Sequence, residues 1–192
     1  MAGIGLQYSV YAPLTENEVA ETFTYGTGKK GRKLIKADIQ INTTDTPLYA
    51  DDSLSENAKE FTDGTMTMNQ DELPDTMRKD FLGNSMNEIT VGEETVQELT
   101  SKDTDVQPYF GYGFIQSKKI DGARMYRAVF LTKIQFGEPD ESAETKGKSI
   151  VWQTPTIVGT IMRRIDGAWK QEVTVPSLET AIAYLKQKAN IA

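Results

Sequence analysis

The chain has 192 residues, 38% hydrophobic and 26% charged, with a formal net charge of −7 and neither cysteine nor histidine. That length suffices for one well-filled core, and the balance excludes a disordered chain. The missing residue types exclude disulfides, thiol chemistry, the usual zinc sites and every nucleophile that relies on histidine.

Carboxylate, lysine or tyrosine chemistry is all that remains to an enzyme, so none is expected. Uninterrupted apolar runs are a few residues long, as at Ala128–Leu131, too short for a membrane span. The N-terminus lacks the basic start and apolar block of a signal peptide, so synthesis and retention in the cytoplasm are expected. Charge is unevenly spread. Between Asp45 and Asp105 there are 16 acidic and 4 basic residues, leaving 12 acidic and 17 basic elsewhere. Complementary patches of this kind suit a molecule that packs against its own copies.

In chain order, Pro13–Arg32 reads as a long loop. It contains "GTGKKG", which matches a dinucleotide-binding spacing at Gly26, Gly28 and Gly31. The context is wrong, because the glycines lead into a strand and not into a helix, so a glycine loop is the reading. The basic run "KKGRKLIK" lacks the interleaved aromatics of a nucleic-acid surface. "KADIQIN" alternates, with Ala37, Ile39 and Ile41 on one face of a strand. Asn42–Glu56 reads as a second long loop. Within it, "YADDSLSE" (Tyr49–Glu56) carries three acidic residues, Asp51, Asp52 and Glu56, without the spacing or central glycine of a calcium loop. Leu48, Tyr49 and Leu54 are more apolar than a solvated loop requires, which favours burial against a partner.

"LPDTMRKDFLG" places Leu73, Met77 and Phe81 four apart between Pro74 and Gly83, predicting a helix. Asp121-Gly122 is a hairpin turn between two strands, the second with Tyr126, Ala128, Phe130, Ile134 and Phe136 on one face, interrupted by Thr132. Glu138–Lys148 reads as a third long loop. Asp166-Gly167 predicts a second hairpin, its first arm interrupted by Pro155 and Gly159. Ser177 caps a final helix with Leu178, Ile182 and Leu185 as its apolar stripe, and Lys186 and Lys188 suit its negative end.

Several of these segments resemble the major tail proteins of long-tailed bacteriophages of Gram-positive bacteria. They are "LYADDSLSE", "PYFGYGFIQSKKIDGARMYRAVFLTKIQF", "EPDESAETKGKSIVWQTPTIVGTI" and "DGAWKQEV". The likeness runs from about Gly5 to Val175, is most distinctive in "ETKGKSIVWQTPTIVGT", and is weakest over Ser85–Val106. It implies a mainly β (α+β) chain: a single domain, 1–192, built as a tail-tube-type β-sandwich or half-barrel. One flanking helix, a C-terminal helix and loop arms at about 13–32, 42–56 and 138–148 complete it. It implies a structural virion protein, made in the host bacterial cytoplasm, that self-assembles into stacked hexameric rings forming a tube for DNA delivery. Its partners would be its own copies, the tail terminator, tape measure and baseplate or tip proteins, and a sheath if the tail contracts. Phage DNA would cross the lumen without specific binding, which an acidic wall drawn from the Asp45–Asp105 segment would favour. No catalytic residue, cofactor, metal or membrane anchor is implied.

On this reading Leu48, Tyr49 and Leu54 dock on an adjacent subunit while Asp51, Asp52 and Glu56 meet its basic residues, with Lys29, Lys30, Arg32 and Lys33 as partners. The alternative is a β-rich carbohydrate-binding or baseplate-type binding module, which would need an aromatic platform from Tyr109, Tyr112 and Trp152.

Overall fold

The computed structural model describes residues 2–50, 53–145 and 153–192. Its strands are β1 (Ala2–Asn17), β2 (Thr22–Tyr25), β3 (Lys29–Lys30), β4 (Leu34–Ala50), β5 (Ser53–Gln70), β6 (Ser85–Val91), β7 (Glu94–Thr100), β8 (Tyr109–Ile120), β9 (Ala123–Phe136), β10 (Thr156–Met162) and β11 (Lys170–Val175). Two helices accompany them, α1 (Asp75–Leu82) and α2 (Leu178–Lys188). The chain is therefore mainly β, with a flanking and a C-terminal helix, as the sequence leads one to expect.

Nine strands form one antiparallel sheet in the order β2-β1-β8-β9-β10-β5-β4, with β11 on β9 and β3 on β1. The sheet curls until β4 lies alongside β1. Its concave side holds the larger core: Phe110, Tyr112 and Phe114 of β8, Val129, Leu131, Ile134 and Phe136 of β9, Met66 and Met68 of β5, and Ile157 and Ile161 of β10. Ala37, Ile39 and Ile41 of "KADIQIN" pack against it, as their alternation predicts. Helix α1 lies over this side. Phe81 sits 4.2 Å from the Phe136 ring and 5.0 Å from Tyr11, and Gly83 ends the helix in the left-handed region. On the convex side α2 covers β1, β8 and β9 through Ala181, Leu185 and Ala189, against Val10, Ala12, Ile115, Ala128 and Phe130. Leu178 and Ile182, two members of the expected stripe, are partly buried beside them. Ser177 caps the helix by accepting a hydrogen bond from the Thr180 amide.

The first hairpin forms as expected. Ile120 pairs with Ala123, and Asp121 and Gly122 both have positive φ, 47° and 85°, the requirement of a type I′ turn. The second does not form: β10 and β11 pair with β9 and not with each other. Gly159–Met162 pair with Phe136–Lys133, and Lys170–Val175 pair with Leu131–Tyr126, so the two strands follow one another along the same edge of β9. Arg163–Trp169 is an excursion between them, and its Asp-Gly turn closes within itself through Arg164 N–H to Ala168 O and Gly167 N–H to Arg164 O.

Opposite that excursion β9 carries a bulge, where Phe110 pairs with Ile134 but Tyr112 with Leu131. The extra residue changes the phase of the strand. Ala128 and Phe130 therefore face α2, whereas Ile134 and Phe136 join Val129 and Leu131 in the other core, and the single face expected from Tyr126 to Phe136 is two half-faces. Thr132 anchors the bulge: its hydroxyl donates to Ala168 O at 2.7 Å, and its carbonyl accepts from the Tyr25 hydroxyl at 2.7 Å.

Two of the three expected loops are strand. Pro13–Arg32 contains the end of β1, all of β2 and β3, and a turn at 18–21; Asn42–Glu56 continues β4 and begins β5. In the third, residues 138–145 are irregular apart from a bridge between Asp140 and Thr156, and 146–148 lie outside the described residues. The "GTGKKG" glycines are packing positions. A Cβ on Gly28 would lie 1.9 Å from Ala189 O, and one on Gly31 would lie 2.3 Å from Ser9 Oγ.

Candidate subunit-interface surface

The expected interface residues fall at opposite ends of one hairpin. β4 and β5 pair from Leu34↔Gln70 to Ala50↔Ser53, but β10 covers β5 only between Gly64 and Asn69. From Thr43 to the tip the pair runs on as a two-stranded arm about 25 Å long, with Thr43, Thr44 and Asp45 of β4 and Ala58, Lys59 and Glu60 of β5 exposed. At its root Phe61 stacks on Trp169 at 4.6 Å. Leu48 pairs with Glu56 and Tyr49 with Leu54, while Asp51 and Asp52 lie outside the described residues. The ladder therefore runs on to Ala50↔Ser53, with register shifts between Asn42 and Thr43 and between Leu48 and Tyr49, where an irregular loop was expected.

Lys29, Lys30, Arg32 and Lys33 gather at the other end, around β3 and the entry to β4. Lys29 Nζ lies 2.6 Å from Asp80 Oδ2, which also accepts the Tyr11 hydroxyl at 2.9 Å. Burial, then the Asp80 charge, pushes the Tyr11 hydroxyl well above its usual range. Arg32 forms an ion pair with Glu72, Lys30 Nζ stands 5.5 Å from the centre of the Tyr8 ring, and Lys33 donates its amide to Asp71 Oδ1 at 3.2 Å. Together with α1 they border a groove of about 400 Å³ lined by Tyr11, Lys29, Lys30, Arg32, Thr76 and Met77. Lys29 and Arg32 are thus committed inside the chain. About 50 Å of strand separates this corner from the Ala50↔Ser53 end of the pairing, so the structure does not bring the described members of the two sets together within the chain.

Sequence reasoning missed a second arm. β6 and β7 form a hairpin that joins no strand of the large sheet, closed by the two-residue turn Gly92-Glu93 with Gly92 at φ 67°. The glycine-first turn between β-branched runs was the available signal. Glu88, Glu93, Glu94 and Glu98 give it four negative charges and no positive one. The aromatic platform of the binding-module alternative fails at Tyr112, which is fully buried; Tyr109 is partly exposed, and Trp152 lies outside the described residues.

Among the described residues no helix is long and apolar enough to cross a membrane, and no three acidic side chains converge as metal ligands. No protein-family model matches the chain, and no curated protein is similar to it.

Proposed function

We infer that this chain is a structural subunit that works by self-association into a hollow tube: the tail tube of a long-tailed phage or of a phage-derived particle. The observation that carries this reading is the pair of two-stranded arms, β4–β5 beyond Thr43 and β6–β7, which project without a core behind them. An isolated two-stranded hairpin is marginal in water, and exposed strand edges invite pairing with another chain. Arms of this kind are therefore stable only when a partner covers them. Both arms are acidic, whereas the rest of the chain is close to neutral with local basic clusters, which favours ordered contact between copies. A head-to-tail contact that does not close on itself extends into a filament, as ring upon ring requires.

The test is negative-stain electron microscopy of the purified protein at rising concentration, with tail-tip components added as initiators. Six-fold rings or hollow tubes are the expected result. Featureless monomers throughout would overturn the tube reading.

A further inference from the structure

The β6–β7 hairpin and the end of the β8–β9 hairpin are complementary surfaces within one chain. In β6–β7 the pairs Val91↔Glu94, Ile89↔Val96 and Asn87↔Glu98 place Ile89, Val91 and Val96 on one face, framed by the carboxylates of Glu94 and Glu98. Val91 is 59% exposed and Val96 37%. Nothing in the large sheet pairs with this hairpin.

At the β8–β9 end the pairs Lys118↔Met125, Gln116↔Arg127 and Ile120↔Ala123 place Ile120 and Met125 on one face, framed by Lys118 and Arg127. It continues the face that carries Phe114 and Val129, past the end of the core. Lys170 and Glu172 of β11 lie beside it. Glu172 accepts from Arg127 and stands 3.3 Å from Lys170, so two cations share one carboxylate. Burial, then the Arg127 charge, pushes the Lys118 amine below its usual range. On the opposite face Lys119 sits directly across from Arg124, a like-charge pair that destabilises a lone sheet. Among the described residues, Asp121 and Glu172 stand here against Lys118, Lys119, Arg124, Arg127 and Lys170, so the hairpin end keeps a net positive charge. Beside it, between β1, β4 and β8, runs a groove of about 400 Å³ lined by Leu6, Ile35, Lys36, Gln116 and Lys118.

We propose that the β6–β7 hairpin of one copy docks on the Lys118–Ile120–Met125–Arg127 face of a second copy, apolar stripe on apolar stripe, with Glu94 and Glu98 meeting Lys118 and Arg127. The assignment rests on the self-association reading but names a contact of its own. The occupant is a second copy because the two surfaces are opposite in charge and both are antiparallel hairpin faces with an apolar stripe framed by charged residues. Docking would cover the exposed Val91 and Val96 and offset the net positive charge of the β8–β9 end.

The chain has no cysteine, so a disulfide reports the contact directly. Val96→Cys and Met125→Cys are made as separate variants and mixed under mild oxidation. A linked dimer in the mixture, and in neither variant alone, is expected. Glu94→Lys/Glu98→Lys in the Val96→Cys chain should abolish the link, and pairing it with Lys118→Glu/Arg127→Glu in the Met125→Cys chain should restore it. No link between variants that melt like the parent overturns the docking, as does a link equally strong within either variant alone. If either cysteine prevents folding, the charge swap is read by sedimentation velocity: loss of association on one-sided reversal and recovery on two-sided reversal are expected, and unchanged association overturns the proposal. Tubes without the link would leave the tube reading standing and remove this contact. The link without tubes would do the reverse.

Discussion

Arg164 is the most informative single residue to remove, because it holds the excursion that lets β10 and β11 share one edge of β9. Its side chain is 5% exposed. Nε donates to Asp166 Oδ1 at 2.9 Å, Nη2 donates to the other carboxylate oxygen, Nη1 donates to the Tyr25 hydroxyl at 3.1 Å, and the guanidinium lies 3.5 Å from the centre of the Phe23 ring. The Asp166 side chain is 40% exposed, so solvent screening limits that pair to about 1 kcal/mol. The Tyr25 bond adds about 1 kcal/mol and the Phe23 stack about 0.5–1 kcal/mol. Arg164→Ala should therefore destabilise the chain by about 2–3 kcal/mol, lowering Tm by about 5–10 °C for a chain of this size. Thermal melting followed by tryptophan fluorescence suits the test, since Trp169 ends the same excursion. The pH dependence is a second readout. Hydrogen bonding from Arg164 holds the Asp166 carboxyl below its ordinary value. Its stabilisation is thus present above the unfolded-state value, about pH 4, and is lost as pH falls through the folded-state value. The gap between parent and variant should be widest near neutrality and narrow below about pH 4 without vanishing, because the Phe23 and Tyr25 contacts are unaffected. A variant melting within 1 °C of the parent would refute this account of the excursion.

Gly28→Ala should lower stability by about 2 kcal/mol, because its Cβ meets the backbone oxygen of Ala189 and the end of α2 must move; hydrogen exchange at the α2 C-terminus, compared with the parent, checks this. Leu185→Ala removes the central contact of α2 with the convex face and should cost about 3 kcal/mol, read as a fall in Tm. Asp51→Lys/Asp52→Lys should hinder assembly while leaving the melting temperature of the monomer unchanged; normal tubes from this variant would refute a role for the arm tip.

What was legible in the sequence was what a core or a single tight turn dictates. "KADIQIN" alternates because Ala37, Ile39 and Ile41 pack on the concave core, and Asp121-Gly122 accepts the positive φ values of its turn. The same turn chemistry is present at Asp166-Gly167, with Gly167 at φ 83°, but a turn fixes only local geometry. Which strand becomes the neighbour depends on the length of β9, long enough to pair both β10 and β11. The phase of β9 was misread at Thr132 for a related reason: a bulge is set by the hydrogen bonds around it, from Tyr25 and to Ala168, which come from distant segments.

The segments read as loops are the most telling. Apolar alternation marks a strand only when one of its faces is buried, so a strand whose faces both meet solvent in the isolated chain carries no such mark. "NTTDTPLYA" and "SENAKEFTD" have the polar, threonine-containing composition of such strands, and they pair with each other beyond the reach of β10. β6 and β7 share this condition, with Val91 more than half exposed. A monomer gains little from ordering these residues, since backbone entropy of about 1–2 kcal/mol per residue opposes it and little apolar burial offsets it. Strands of that kind become worthwhile when a second molecule supplies the missing face. The β4–β5 pairing also puts about 50 Å of strand between Leu34, beside the basic corner, and Ala50 at the far end, so on the proposed self-association the arm would reach a neighbouring copy and not its own corner.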